Sequence, residues 1–293
     1  MAHKSGFVNI IGNPNVGKST LMNALVGERL SIITSKAQTT RHRIMGIVNS
    51  DDFQIVYSDT PGVLKPAYKL QESMMKYVMS ALEDADIILY ITDTQETPNK
   101  NTEFLEILNQ QNAPVILVIN KIDLSNQEKV EALVKLWEGL LPKAVIIPTS
   151  ALHNFNLDAI LESILKRLPE GPEYFSKETL TDKTLRFFAS EIIREKVLTT
   201  YKKEIPYSVE VDIEEYKEEP KIDRVRAIIY VTRDSQKGII IGHQGKMLKK
   251  IGTEARLDME KFLDKKVFLE IYVKVDPNWR NDDTKLKRFG YIQ

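Results

Sequence analysis

Apolar runs of strand length alternate with stretches of helical periodicity over the first half of the chain. The runs 87–91 and 115–119 are continuously apolar, which is typical of strands buried on both faces of a largely parallel sheet. The pattern therefore predicts an α/β fold with an open, mostly parallel sheet. The predicted strands are 6–11, 43–49, 53–58, 86–91, 114–119 and 144–149, and the predicted helices are 18–26, 69–84, 101–111, 126–140 and 155–167.

The pattern changes after the segment 169–173, where two prolines and a glycine follow a helical stretch. Such residues are typical of a domain boundary. Helical periodicity then covers 185–201, and a helix–turn–helix pattern at 238–251 continues as a helix to residue 262. With strands at 207–213, 224–232 and 267–275, the order is α-β-β-α-α-β and predicts a smaller α+β domain. We place the first domain at 1–168, a linker at 169–181, the second domain at 182–275 and a polar C-terminal tail at 276–293.

Composition narrows the classes of protein. The chain has 293 residues, of which 42% are apolar and 28% charged, so it is long enough for two domains. It has no cysteine, which excludes disulfides, thiolate nucleophiles and Cys-ligated zinc. We expect no signal peptide, and no apolar run approaches the ~20 residues of a membrane span. Basic residues exceed acidic ones in 172–293, which indicates a nucleic-acid partner only weakly, since ordinary surface variation explains it equally well.

Residues 12–19 read G-x-x-x-x-G-K-S between a predicted strand and a predicted helix. A phosphate-binding loop needs this context, because glycines allow a sharp turn and the N–H groups at the helix start face the anion. Lys18 is expected to reach the outer phosphates, and the Ser19 hydroxyl is expected to ligate Mg²⁺. The alternative is a Gly-rich turn that binds nothing.

The motif D-T-P-G at residues 59–62 follows another predicted strand. Asp59 is suited to hold the Mg²⁺ region through water, and the Gly62 N–H is suited to contact a γ-phosphate. By itself this motif describes an ordinary turn. Its place after a strand and downstream of a phosphate-binding loop favours the nucleotide site.

The motif N-K-I-D at residues 120–123 indicates which base is bound. Asp123 can accept hydrogen bonds from guanine N1–H and the 2-amino group, whereas adenine would leave this carboxylate unpaired. The Lys121 stem is expected to cover the base, and Asn120 to brace the base and the phosphate loop. Backbone N–H groups of T-S-A-L, residues 149–152, are candidates for a bond to guanine O6. The alternative, a solvated polar loop, is disfavoured by the upstream motif.

The loop 35–41 is suited to close over the nucleotide. A threonine that ligates Mg²⁺ and contacts the γ-phosphate would order this loop only when a triphosphate is bound. Thr39 and Thr40 both qualify by their chemistry.

These motifs, in this order, resemble the set found in translation-factor-class GTPases. The forms N-P-N-V-G-K-S and K-A-Q-T-T-R resemble the Era branch in particular, and this resemblance selects Thr40 over Thr39. Many GTPases place a water-orienting Gln where this chain has Val63. In relatives of this kind an Asn at the position of Asn15 can ligate K⁺, which leads to the hypothesis of slow hydrolysis assisted by K⁺ through Asn15. The alternative is that Asn15 only caps or shapes the loop.

The predicted site residues follow from the motifs and the resemblance together. The catalytic candidates are Lys18, Thr40, Gly62 and Asn15, and the Mg²⁺ candidates are Ser19, Thr40 and Asp59. The residues expected to bind GTP or GDP are Gly12, Asn13, Pro14, Asn15, Val16, Gly17, Lys18, Ser19, Thr20, Asp59, Thr60, Pro61, Gly62, Val63, Asn120, Lys121, Ile122, Asp123, Ser150, Ala151 and Leu152.

The second half has its own motif, G-x-x-G at 242–245, after a short apolar run and before a basic helix. In α-β-β-α-α-β order this is the type II KH arrangement, in which the G-x-x-G loop clamps a single-stranded backbone of four nucleotides. The alternative is a helix–helix turn in an unrelated domain. The predicted RNA-binding residues are Gly242, His243, Gln244, Gly245, Lys246, Lys249 and Lys250.

The resemblance to Era extends to the second half through the segments 191–197, 234–242 and 273–280. It implies binding to the 3′ end of small-subunit rRNA and a role in assembly of the small ribosomal subunit. It also implies a cytoplasmic protein, which we expect to be a monomer, with peripheral contact at the inner face of the cell membrane. His243 and Gln244 depart from the basic residues often found there. Two alternatives follow: the electrostatic affinity for RNA is lower, or Lys246, Lys249 and Lys250 supply it instead.

Three classes of protein compete. The first is a GTP-hydrolysing switch that controls RNA binding, the second a P-loop kinase or ATPase, and the third an RNA-binding module with a regulatory, poorly hydrolysing guanine nucleotide site. The motif N-K-I-D disfavours the second class and the intact nucleotide motifs disfavour the third, so we predict the first.

Overall fold

The computed structural model describes residues 3–97 and 102–292; the first residue of the predicted helix 101–111 therefore lies outside the described residues. The chain divides into two compact units. The first unit comprises the chain up to Ser31, Thr40–Lys65 and Met74–Asp182. The second comprises Ile32–Thr39, Pro66–Ser73 and the chain from Lys183 onward.

The first unit contains a six-stranded sheet of order β2-β3-β1-β4-β5-β6. Its strands are parallel except that β2 runs antiparallel to β3, so the predicted mostly parallel sheet is confirmed. The strands are β1 Lys4–Gly12, β2 Ile44–Asn49, β3 Phe53–Asp59, β4 Ile87–Asp93, β5 Val115–Asn120 and β6 Val145–Pro148. The helices of this part of the chain are α1 Lys18–Val26, α2 Lys69–Glu83, α3 Thr102–Asn109, α4 Gln127–Leu140 and α5 Leu157–Arg167.

The register of the parallel strands gathers the polar motifs at one edge of this sheet. Every residue of β4 is buried, which is why its sequence is apolar as far as Ile91 and polar only at the end. Ile10 of β1 pairs with Asp59 at the end of β3, and Asp93 at the end of β4 pairs with Asn120 at the end of β5. In an open α/β sheet this carboxyl edge is where ligands bind.

The second unit contains a three-stranded sheet of order β7-β8-β9, antiparallel between β7 and β8 and parallel between β8 and β9. The predicted order of long elements is found, with two short helices added, α7 and α10. The predicted strand 207–213 begins only at Glu210, because a helical turn with Pro206 in its first turn precedes it. The elements are α6 Leu185–Thr200, α7 Ile205–Ser208, β7 Glu210–Lys217, β8 Ile222–Val231, α8 Asp234–Ile241, α9 Lys246–Leu263, β9 Lys266–Val275 and α10 Asp283–Arg288.

The segment predicted to be a polar tail packs within the second unit. Trp279 and Leu286 have no exposed surface, and the Phe289 ring lies 6.1 Å from that of Trp279. The Asp282 carboxylate caps α10 by accepting hydrogen bonds from the N–H groups of Thr284 and Lys285. This helix is short and has few apolar residues among charged ones, so the sequence shows no helical periodicity that would predict it.

The segment predicted to be a linker lies against the first unit. The Thr181 hydroxyl donates to the carbonyl of Met45 at 2.7 Å, and the N–H of Ile47 donates to the carbonyl of Leu180 at 2.8 Å. Met45 and Ile47 belong to β2, the strand at one edge of the sheet. The segment therefore covers unpaired backbone groups of an edge strand.

Candidate functional site

The phosphate loop at the end of β1 has backbone positions that only glycine fits. Gly17 has φ +98°, and a Cβ there would lie 2.2 Å from Nδ2 of Asn120. A Cβ on Gly12 would lie 2.2 Å from the carbonyl oxygen of Ile91 on the neighbouring strand. The loop is therefore packed tightly against the ends of β4 and β5, and it presents main-chain N–H groups at the start of α1.

Lys18 is buried inside this loop. Its Nζ donates to the carbonyls of Gly12 at 3.1 Å and Asn13 at 2.8 Å. An ammonium has three donors, so this geometry leaves one for an anion. Burial lowers the pKa of Lys18 to about 8, although the carboxylates of Asp59 and Glu96 oppose that shift. A bound phosphate would favour the charged form.

A cluster of oxygen atoms lies beside this lysine. The Ser19 hydroxyl donates to Oδ2 of Asp59 at 2.7 Å and lies 2.8 Å from the Thr40 hydroxyl, which is itself 3.3 Å from the same Oδ2. Asp59 is fully buried, and its Oδ1 has no hydrogen-bond partner among the described residues. Burial raises the pKa of Asp59, although Lys18 and the hydroxyls of Ser19, Ser31 and Thr40 oppose that shift.

The chemistry of this cluster fits Mg²⁺. Two hydroxyls and a carboxylate are hard oxygen ligands, and Mg²⁺ is usually held by few protein oxygens together with phosphates and water. The unpaired Oδ1 of Asp59 gives a second reason, because a buried carboxylate oxygen without a partner is costly. Ser19, Thr40 and Asp59 are therefore the residues that would hold the ion, and it would polarise the phosphate oxygens when bound.

The structure also separates the two candidate threonines. Thr40 joins the oxygen cluster, whereas the Thr39 hydroxyl donates to the carbonyl of Lys36 at 2.7 Å and lies 2.6 Å from the hydroxyl of Thr34. The side chain of Thr39 is thus used inside its own loop. Spacing alone left the two open and the family resemblance selected Thr40; in the structure, Thr40 is the one that reaches the oxygen cluster.

The base-binding motifs lie together at the ends of β5 and β6. Nδ2 of Asn120 donates to the carbonyl of Val16 at 2.8 Å, and its Oδ1 accepts from the N–H of Ala151 at 3.0 Å. This N–H, one of those considered for guanine O6, is therefore directed at Asn120. The Ser150 hydroxyl donates to Oδ1 of Asp123 at 2.5 Å and holds that carboxylate in place.

Lys121 contacts Asp93, a site residue that the sequence did not lead us to predict. Its Nζ donates to the carbonyl of Asn15 at 2.5 Å and to Oδ2 of Asp93 at 2.7 Å. Asp93 is the last residue of β4, so its place at the carboxyl end of an apolar strand was the signal that could have found it. Its other oxygen accepts from the N–H groups of Gln95 and Glu96 at 2.9 Å each.

Glu96 was also missed, and here the sequence carries no signal. One carboxylate oxygen accepts from the side-chain amide of Asn13, and the other accepts from the Thr92 hydroxyl at 3.0 Å. Glu96 therefore fixes a side chain of the phosphate loop and adds negative charge near Lys18.

Three further predicted residues, Gly62, Val63 and Asn15, lie at this edge of the sheet. Among the described residues, their side chains make no polar contact that defines a role. Gly62 packs against the phosphate loop, since a Cβ there would lie 2.7 Å from the backbone nitrogen of Pro14. The Val63 N–H donates to the carbonyl of Gly12 at 3.1 Å, and its side chain packs against a core cluster of the first unit. Asn15 is exposed and has φ +68°.

In the second unit, the G-x-x-G motif joins α8 to α9. Gly242 ends α8 with φ +71°, and a Cβ there would lie 2.6 Å from Cγ of Met247. Gly245 has φ +74° and precedes α9, so the loop turns through two left-handed glycine positions. His243 and Gln244 between them are exposed, as are Lys246, Lys249 and Lys250 on the following helix.

A groove of about 400 Å³ runs beside this loop between α9 and β9. It combines an apolar floor with polar and basic groups, which suits bases stacked beside a phosphate backbone. Spacings of three and four residues along α9 would have identified its helical side, whereas β9 adds residues that only the fold supplies. The lining residues are Gly245, Leu248, Lys249, Gly252, Thr253, Arg256, Leu269 and Ile271.

Comparison with known proteins agrees with this division. Residues 7–121 match a family of 50S ribosome-binding GTPases, and residues 204–280 match KH domains. Over 290 residues the chain is 48% identical to a GTPase Era of Clostridium kluyveri, which covers 98% of this chain and 99% of that protein. It is also 48% identical over 283 residues to a GTPase Era of Thermosipho melanesiensis, covering 96% and 95%.

Two solved structures resemble the whole chain. One is Era in complex with MgGDPNP and nucleotides 1506–1542 of 16S ribosomal RNA, with a TM-score of 0.95, 40% identity and coverage of 99% of this chain and 100% of that one. The other is a variant of Aquifex aeolicus Era bound to GDP·AlF4⁻, with a TM-score of 0.94, 41% identity and the same coverage.

The buried Lys18 makes nucleotide affinity depend on pH. The pKa of Lys18 in the free protein is about 8, and a bound triphosphate favours the ammonium form. Affinity for a non-hydrolysable GTP analogue with Mg²⁺ is therefore expected to fall above about pH 8, approaching about tenfold per pH unit, and to be independent of this group below about pH 7. Calorimetry in two buffers should detect proton uptake at pH 8. Lys18→Arg keeps the charge without titrating, so it should bind more weakly with a flat profile; equal slopes would contradict the assignment.

Asp123 is expected to select guanine. Asp123→Asn removes the charged acceptor for N1–H and the 2-amino group, so GTP affinity should fall about 10- to 100-fold. Xanthosine triphosphate has a 2-keto oxygen that the Asn amide can donate to, and it should bind the variant better than the wild type. Competition between GTP, ATP and xanthosine triphosphate measures both effects. Ser150→Ala, which only frees the carboxylate, serves as the milder control. An unchanged preference for GTP in Asp123→Asn would refute the role.

Proposed function

Because the chain belongs to the Era family of GTPases, we propose that it is a GTP-hydrolysing switch that binds single-stranded ribosomal RNA and acts in small ribosomal subunit assembly. Membership rests on 48% identity over nearly the full length. The RNA partner is proposed because a similar structure is a complex with nucleotides of 16S ribosomal RNA. The domain arrangement proposed for it is the one expected from the sequence, with GTPase residues 1–168, a linker at 169–181, KH residues 182–275 and a tail at 276–293.

One observation carries the nucleotide chemistry. Ser19, Thr40 and Asp59 meet beside the buried Lys18, so a triphosphate held by the lysine would share its Mg²⁺ with the oxygen cluster. The proposal includes Mg²⁺ because a similar structure contains MgGDPNP. Guanine is proposed as the base because Asp123, held by Ser150, is at the neighbouring strand end.

Binding of GTP·Mg²⁺ orders the segments 35–41 and 62–75 in this proposal. Thr40 gains a metal ligand role and Gly62 gains a γ-phosphate contact only while the triphosphate is present. Hydrolysis removes both contacts and releases the segments. In this proposal the GTP form is the one that binds RNA, and hydrolysis ends that binding.

RNA binding is assigned to the G-x-x-G loop and the groove beside it. The glycines allow phosphates to approach the main chain, and Lys246, Lys249 and Lys250 supply the positive charge that His243 and Gln244 do not carry when neutral. Support comes from the exposure of all five side chains.

Hydrolysis is proposed to be slow and assisted by K⁺. Val63 packs against apolar residues and has no group that orients water, which also favours the second candidate function, an RNA-binding module with a poorly hydrolysing guanine nucleotide site. Asn15 is exposed at the end of the phosphate loop, where a monovalent cation held by its side chain would supply positive charge.

We further propose a cytoplasmic monomer with peripheral contact at the inner face of the cell membrane, on family resemblance alone. No helix among residues 3–97 and 102–292 is long and apolar enough to cross a membrane.

The cation proposal is tested by turnover in K⁺ and in Na⁺ at equal ionic strength. The wild type should hydrolyse GTP faster in K⁺, and both Asn15→Ala and Asn15→Gly should lose that difference. The Gly variant matters because Asn15 has φ +68°, which glycine adopts without strain. Equal wild-type rates in the two salts would remove K⁺ from the mechanism, and a low rate in both would favour the regulatory site.

The two-part function is tested by Gly242→Asp. The new side chain meets Met247 and brings negative charge to the loop, so RNA binding should be lost while GTP binding is kept. Fluorescence anisotropy with a single-stranded oligonucleotide from the 3′ end of small-subunit rRNA measures the first, and nucleotide titration the second. Gly139→Asp is the matched control, since a Cβ there meets nothing within 4 Å. Loss of both activities together in Gly242→Asp would contradict separate modules.

A further inference from the structure

Arg43 lies in the first unit, between Thr40 and the first residue of β2, and its side chain is only 10% exposed. Its guanidinium forms a two-point contact with the carboxylate of Asp84, through Nη1 to Oδ2 at 2.5 Å and Nη2 to Oδ1 at 2.9 Å. Nε donates to the Ser58 hydroxyl at 2.6 Å, and Nη2 also donates to Oδ1 of Asn9 at 3.2 Å. All three guanidinium nitrogens are therefore bonded, which fixes the plane of the group.

The acceptors belong to three different elements of the same unit. Asn9 is a buried residue of β1 and Ser58 a buried residue of β3, and the two are paired across the sheet. Asp84 directly follows α2 and lies in the segment Met74–Asp182 of the first unit. The Asn9 amide donates to Oδ1 of Asp84 at 2.7 Å and to the carbonyl of Ala81, in the last turn of α2, at 2.6 Å. The network therefore joins β1, β3 and the end of α2 to the chain that enters β2.

This network lies directly behind the oxygen cluster of the same unit. Ser58 precedes Asp59 in β3, and consecutive residues of a strand point to opposite faces of the sheet. The Ser58 hydroxyl therefore lies on the face opposite to the Asp59 carboxylate. Ile44, the residue after Arg43, pairs with Asp59 where β2 meets the end of β3. Arg43 is thus held at the point where the chain leaves the sheet toward Thr40.

The anchor at Arg43 limits where Thr40 can lie. Three residues of chain span at most about 11 Å, so Thr40 stays within a short tether of the bonded guanidinium. The Thr40 hydroxyl lies 2.8 Å from that of Ser19 and 3.3 Å from Oδ2 of Asp59. A residue that is already confined loses less conformational entropy when it binds a ligand, so the anchor would favour binding through Thr40.

We propose that Arg43 is a positioning residue for GTP hydrolysis. It anchors the chain between Thr40 and β2 so that the Thr40 hydroxyl is presented to Mg²⁺ at the oxygen cluster. This inference rests on the proposed role of Thr40 in the Mg²⁺·GTP site. In that proposal the diphosphate state lacks the contact made through Thr40, so Arg43 acts on the triphosphate form selectively.

The experiment uses the full chain and two variants that loosen the anchor. Arg43→Met removes every donor and keeps an unbranched side chain. Asp84→Asn keeps the size of its side chain and removes the charge that holds the guanidinium. Because the Asp84 side chain is 46% exposed, this change should cost the fold little, and it provides a second reading if Arg43→Met fails to fold. The measurements are affinity for a non-hydrolysable GTP analogue, affinity for GDP, and the Mg²⁺ concentration that gives half-maximal hydrolysis.

Arg43→Met is expected to bind the GTP analogue about tenfold more weakly and to need about five- to tenfold more Mg²⁺, with GDP affinity unchanged within about twofold. Asp84→Asn should shift the same quantities in the same direction by less, because Ser58 and Asn9 still accept from the guanidinium. An unchanged ratio of analogue to GDP affinity in every variant that folds would overturn the proposal, and so would an equal loss of both affinities.

Arg167→Met is the matched control, because Arg167 lies in the same unit and donates only locally on α5, to the carbonyl and the hydroxyl of Ser163 at 2.9 Å each. It should leave the ratio unchanged, and an equal shift would show that loss of any bonded arginine in this unit suffices and would overturn the specific role. Thr40→Ala separates the two levels of inference. If Thr40→Ala has no effect on Mg²⁺ dependence, the proposed nucleotide site fails; if it has an effect and the two anchor variants do not, only the positioning role fails.

Discussion

The buried carboxylate of Asp59 is the constraint on which the nucleotide site depends. Removing a carboxylate from water is costly unless polar groups surround it. Here Ser19 comes from the start of α1, Thr40 from the loop before β2, and Asp59 from the end of β3. Both hydroxyls are hydrogen-bonded to the same carboxylate oxygen of Asp59. Three separated segments are thereby drawn to one point. The other oxygen has no hydrogen-bond partner among the described residues, so it would be available to a cation.

Burial acts on the two central charges in opposite directions. It lowers the pKa of Lys18 and raises that of Asp59, so the dry site disfavours the charged form of each. Their mutual attraction offsets part of this cost. A triphosphate beside the lysine and a metal ion beside the carboxylate would stabilise both charges together. Each ligand would therefore favour the binding of the other at this site.

The candidate RNA site of the second unit also combines a glycine-containing loop with basic side chains. Its G-x-x-G loop carries no fixed charge between the glycines, and the exposed lysines follow on α9. In the proposed RNA site, the backbone would set the path of a phosphate chain, while the lysines and the apolar groove would determine how strongly it is held. Inside the same unit, Arg194 ties α6 to the loop that ends at Thr39. Helix, loop and G-x-x-G turn therefore belong to one compact unit.

The sequence by itself determined the long elements and the strand-end motifs, because buried parallel strands must be apolar and phosphate loops must contain glycine. The alternation of strands and helices was enough to predict an open sheet, and the element order together with G-x-x-G was enough to predict a KH-type second unit. Helix α10 was not predicted, because a short helix with one buried leucine shows no helical periodicity in the sequence. Residue chemistry and spacing left Thr40 and Thr39 equivalent until the family resemblance selected Thr40. The tertiary structure adds the physical difference, because the backbone directs only Thr40 to the oxygen cluster. It also brought Glu96 to Asn13 and Arg194 to the Thr39 carbonyl, contacts between residues far apart in sequence and decided by packing.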